Sequence, residues 1–113
     1  MYYTHPPTLW KNSLMINNSE ELAKTLDELL ALMELDGDES NWYQWMLDAR
    51  RQLDESPISG ASRLIDAYGG MGSFNDHYPL KVELDDAFNK LRSEAYRLAT
   101  EIIVADRRGK KTS

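Results

Sequence analysis

Two histidines, His5 and His77, are the imidazoles of this chain, and no cysteine accompanies them. Neither has a second His or Cys at the spacing of a zinc site, so no metal-binding set is assigned. His5 lies beside Pro6-Pro7 and reads as exposed. Asn75-Asp76-His77 joins a carboxylate and an amide to an imidazole, the residue types of an acid–base site. Catalysis requires the acid to orient the imidazole in space, which adjacency in sequence does not supply. Asp36, Asp38 and Ser40 take the first alternating positions of a calcium loop. The glycine position of such a loop holds Asn41 here, however, and its closing glutamate position holds Leu47. Those acids read as a solvated turn.

Glycine-rich runs raise a different chemistry, since consecutive backbone amides can cradle an anion. Gly69-Gly70-Met71-Gly72-Ser73 is such a run, but it lacks the lysine of a phosphate loop, and the G-x-G-x-x-G pattern fails at Asn75. Gly109-Lys110-Lys111-Thr112 has neither the earlier glycine nor a following helix and reads as part of a basic, flexible tail over 107–113. No catalytic residue and no cofactor are assigned, and the expectation is a protein that is not an enzyme.

The elements that position these residues follow from apolar spacing. Asn18 with Glu21 has the form of a capping box and predicts a helix start. Leu22, Leu26, Leu29, Leu30 and Met33 then fall on one helical face, and Asp36-Gly37 ends it. Trp42, Trp45, Met46, Ala49 and Leu53 predict a second helix. Ser56-Pro57 opens a third, carrying Ile58, Ala61, Leu64, Ile65 and Tyr68, because proline suits a first helical turn. From about Glu83 a heptad-like seam of Leu84, Phe88, Leu91, Ala95, Leu98 and Ile102 predicts the longest helix. The fold class is all-α: one domain over 1–113, a compact bundle of four main helices with a glycine-rich connection before the long C-terminal helix. Residues 1–17 form an N-terminal segment with room for a short helix near Leu9 to Met15.

Charge narrows the partners. The net charge is −6, and Arg107, Arg108, Lys110 and Lys111 are all basic, so residues 1–106 carry −10. Such a body repels phosphate backbones and attracts basic partners, which excludes nucleic acid as the expected ligand. Residues 20–55 hold eleven acids against three bases. Glu34, Asp36, Asp38, Glu39, Tyr43 and Asp48 are the candidate partner-binding residues, an acidic face with an aromatic anchor. No apolar run approaches the roughly 18 residues of a membrane span. The N-terminus lacks the parts of a signal peptide, and the absence of cysteine suits a reducing compartment. The expectation is a cytoplasmic protein, a monomer or weak homodimer, without membrane contact.

Tyr68-Gly69-Gly70-Met71-Gly72-Ser73-Phe74-Asn75-Asp76 resembles the G-G-M-G-S-[FL]-N-D motif of a family of small bacterial proteins of unknown function. Some small acidic proteins resembling this one are encoded near toxins, and that resemblance implies an immunity or antitoxin-like role. In physical terms Gly69 is expected to cap the third helix, Phe74 to return to the core, and Asn75 and Asp76 to bond nearby amides. Gly69, Gly70, Gly72, Ser73, Phe74, Asn75 and Asp76 are therefore first a structural loop.

Three functions remain open at this level. The leading one is a non-enzymatic inhibitor that binds a basic protein partner such as a toxin. The second is a ligand-binding protein or enzyme with its site at loop 69–77. The third is a module that self-associates through the Leu84–Ile102 seam.

Overall fold

Between Pro7 and Gly37 the sequence contains neither glycine nor another proline, and a single helix occupies the whole interval. The computed structural model describes residues 7–69 and 71–111. Helix α1 spans Pro7–Asp36, α2 Asn41–Glu55, α3 Pro57–Ile65 and α4 Asp85–Lys111, with single 3₁₀ turns at Phe74–Asp76 and Val82–Leu84. The described residues contain no strand, so the all-α class holds. None of the described helices is long and apolar enough to cross a membrane.

The expected stripes form the core. Leu22, Leu26, Leu29, Leu30 and Met33 of α1 are buried, as are Met46, Ala49 and Leu53 of α2, Ala61 and Leu64 of α3, and Phe88, Ala95, Leu98 and Ile102 of α4. α1 packs chiefly on α4, and α2 packs on α3, which in turn lies against α4. The α2–α3 approach is unusually close. A Cβ on Gly60 would stand 2.7 Å from the Leu53 backbone nitrogen and nearer still to the Leu53 side chain, so only glycine fits this crossing.

Four boundaries differ from the sequence reading. α1 runs through Asn18, which sits inside the helix rather than capping it; a capping box acts only where the chain upstream cannot stay helical, and no breaker lies between Pro7 and Asn18. α3 stops at Ile65, so Tyr68 lies beyond it, and Gly69 adopts its positive φ of 114° after a further turn rather than at the helix cap. α4 begins at Asp85, after the 3₁₀ turn that holds Leu84, and its first turn gains from Asp85 and Asp86 at the positive end of the helix dipole. It also continues through Arg107 and Arg108 to Lys111, where a tail was expected; Thr112 and Ser113 lie outside the described residues, as do residues 1–6.

The end of α1 is closed as the sequence suggests. Gly37 takes φ 75°, its N–H donates to the Glu34 carbonyl, and the Asp38 N–H donates to the Met33 carbonyl, both at 3.0 Å. This pair of bonds is a Schellman motif, which satisfies carbonyls that a helix end would otherwise leave unpaired.

Candidate functional site

The Schellman turn delivers two carboxylates to one place. Asp36 is 5% exposed, and its two oxygens accept the backbone N–H groups of Leu80 and Lys81, each at 2.8 Å. A carboxylate at a helix C-terminus is opposed by the helix dipole. Here two amides compensate it, and the Lys81 ammonium donates to the Leu35 carbonyl at 2.9 Å, placing a cation at that negative end. Residues 77–84 are thereby strapped across the end of α1.

Asp38 holds the start of the strap. Its Oδ2 lies 2.6 Å from His77 Nε2, and its Oδ1 accepts the Ser40 N–H at 2.7 Å. Burial alone would raise the Asp38 carboxyl, but the hydrogen bonds from Ser40 and His77 and the attraction of the imidazole outweigh it, so its pKa falls below the ordinary carboxylate value. The His77 ring stacks on Phe74 and meets Phe88 edge-on, with centroids 6.1 and 6.0 Å away. The carboxylate partner of His77 is therefore Asp38 and not its neighbour Asp76. A carboxylate fixing an imidazole is the geometry of a general-base pair, and here the same contact fastens a loop.

The glycine-rich motif is held from within. Asp76 turns back so that its carboxylate accepts the Gly72 N–H at 2.7 Å, and the Ser73 hydroxyl accepts the Asn75 N–H at 3.2 Å. Gly72 sits at φ 78°, a conformation that side chains disfavour. Phe74 is fully buried, its N–H donating to the Ala67 carbonyl at 2.9 Å. Burial of that ring contributes roughly 2–3 kcal/mol. Gly70 lies outside the described residues. Met71, at the tip, is 98% exposed.

Arg92 of α4, which the sequence reading did not single out, clamps the same loop. It is buried, and its Nη1 donates to the carbonyls of Phe74 and His77 at 2.8 and 2.6 Å, while Nη2 bonds the Asn89 side-chain oxygen. Its guanidinium carbon also lies 4.9 Å from the Phe88 ring centre and 5.3 Å from that of Tyr78. The available signal was an arginine one position after Leu91 in an apolar seam, which helical spacing alone reads as a flank.

The six candidate partner residues divide accordingly. Asp36 and Asp38 are inside the strap, so they do not form an acidic contact surface; their carboxylates are engaged by backbone amides and an imidazole. Asp48 is tied to Arg51, Gln52 and Arg63. Tyr43 donates its hydroxyl to Glu34 at 2.8 Å. Glu34 and Glu39 reach solvent. The structure adds residues absent from that set: Leu35, Tyr78, Leu80 and Val82 are 64, 56, 79 and 76% exposed. Among the described residues no group of three His, Cys, Asp or Glu could hold a metal ion.

Comparison with known proteins bears on this same stretch. Residues 35–83 match the model of a domain of unknown function, DUF6966. No curated protein and no solved structure shows a significant match. The matched segment starts at Leu35 and ends at Glu83, so its two ends are the ones that Asp36 and Lys81 bring together. It contains α2, α3, the motif loop and the strap as far as Glu83. A segment of unassigned function is thus closed on itself by the Asp36 carboxylate.

Proposed function

We propose that this chain is a non-enzymatic binding protein whose contact surface for a basic protein partner is the strap and the adjoining end of α1. The observation that carries the reading is the shared exposure of Tyr78, Leu80 and Val82 on the strap and of Leu35 at the end of α1. Large apolar side chains held in water by a pinned backbone mark a contact surface more often than a chance exposure does. The setting is acidic: over residues 34–39 and 78–86 the exposed charges are Glu34, Glu39, Glu83 and Asp86 against one base, Lys81. Such an apolar centre with a negative rim favours a partner with the reverse rim, and rim charge chiefly raises the association rate.

The finer form of the proposal, following the motif resemblance, is an immunity or antitoxin-like inhibitor of a basic bacterial toxin, acting in the cytoplasm as a monomer or weak homodimer. Its test is capture from source cells with tagged wild type and with Leu80→Ser/Val82→Ser, washed at low and high salt. One basic protein held by wild type, lost by the double variant and weakened by salt supports the proposal. Equal recovery by both proteins, or recovery of acidic or nucleic-acid species, refutes it.

A further inference from the structure

A second region differs in charge from the acidic body of the chain. Between the end of α3, the motif loop and α4 lies an open cleft of about 490 Å³ whose described lining residues include no acid, in a chain of net charge −6. Ile65, Tyr68 and Tyr96 provide its apolar walls, with the two tyrosine rings 4.9 Å apart. Asn75 and Ser93 provide neutral polar groups, and Arg92 provides the only formal charge among the described lining residues.

That charge lacks an ionic partner. Arg92 is 8% exposed, yet no carboxylate among the described residues lies within ion-pair distance of it; its partners are two carbonyls, one amide oxygen and aromatic faces. These bonds leave its Nε–H and one Nη2–H without an acceptor among the described residues. Burying a cation among neutral groups is unfavourable unless a counter-charge is supplied. A ring in the tyrosine-walled part and an acid group toward Arg92, Ser93 and Asn75 would match every part of the lining.

We infer that this cleft is a binding site for a small aromatic carboxylate, with Arg92 as its charge partner. The site shares Arg92 with the anchoring of the strap, but neither Leu80 nor Val82 lines it, so it does not depend on the protein-binding reading and Leu80→Ser/Val82→Ser leaves it intact.

The test is titration of the ¹⁵N-labelled full chain with benzoate, and in parallel with benzamide and benzylamine, which keep the ring but change the charge. The expected result is saturable movement of the Gly69, Asn75, Ser93 and Tyr96 amides with benzoate, at an affinity at least about tenfold above that for benzamide, with no binding of benzylamine. Ser93→Trp, on the exposed side of α4, fills the cleft and should weaken benzoate at least about tenfold while leaving the spectrum of the α1–α2 region unchanged. Absence of saturable shifts, equal affinity for benzamide, shifts confined to the basic C-terminal residues, or retention of binding in Ser93→Trp would each overturn the assignment and leave Arg92 as a loop clamp alone.

Discussion

The Asp38 carboxylate lies 2.6 Å from the imidazole of His77, thirty-nine positions further along the chain. That contact joins the turn after α1 to the strap, and His77 in turn lends its carbonyl to Arg92 of α4. Three elements that carry no common periodicity are held together by one polar side chain from each, Asp38, His77 and Arg92. Acidic residues that look like a binding face in sequence are therefore part of the internal frame, and the surface they support is apolar.

Acid should loosen this frame through Asp38. Its folded pKa is depressed below the ordinary 3.8, so the stabilisation is present above that value and is lost as pH falls through the lower folded pKa. Chemical denaturation of wild type and Asp38→Asn between pH 6 and about pH 2.5 should show wild type more stable at the upper end and the two converging at the lower end. A constant gap between them would contradict the assignment.

Removing Asp36 should be the most damaging change among the candidate acids. Asp36→Ala leaves the Leu80 and Lys81 amides without their acceptor and should cost about 3 kcal/mol. Glu39→Ala, on the exposed side of the same turn, should stay within about 0.5 kcal/mol of wild type. Urea midpoints for the two variants provide the comparison.

Gly60→Ala tests the α2–α3 crossing. In a free helix alanine is favoured over glycine by about 1 kcal/mol. Here the added carbon would meet the Leu53 backbone at 2.7 Å, which no side-chain rotation can relieve. The overpacking term should win, giving a net loss of about 1–3 kcal/mol in thermal or urea unfolding.

The alkaline limit should be set in part by Tyr68. Burial raises its phenol above the ordinary 10.0, Tyr96 adding to the effect and Arg92 opposing it, and its hydroxyl donates to the Arg92 carbonyl at 2.7 Å. With a folded pKa above the unfolded one, the contribution is complete below pH 10 and declines as pH rises beyond it. Tyr68→Phe should lower stability at neutral pH by about 1 kcal/mol and show a shallower decline above pH 10.

The amino-acid sequence by itself determined the helical class, the inward stripes of all four helices, the stop at Gly37 and the return of Phe74 to the core. Each of these depends on neighbours within a turn or two: apolar spacing near 3.6 residues, a glycine where φ must be positive, and a large ring between polar groups. Helix ends were less legible, because Asn18 and the basic run after residue 106 have end-like composition, yet the helical backbone continues through both. Only the tertiary structure decided the fate of Asp36, Asp38, His77 and Arg92. Nothing local distinguishes a carboxylate at a helix end that faces water from one that accepts amides forty-four residues away. The difference lies in which loop closes over it, and therefore in the long-range packing that also leaves Tyr78, Leu80 and Val82 facing outward.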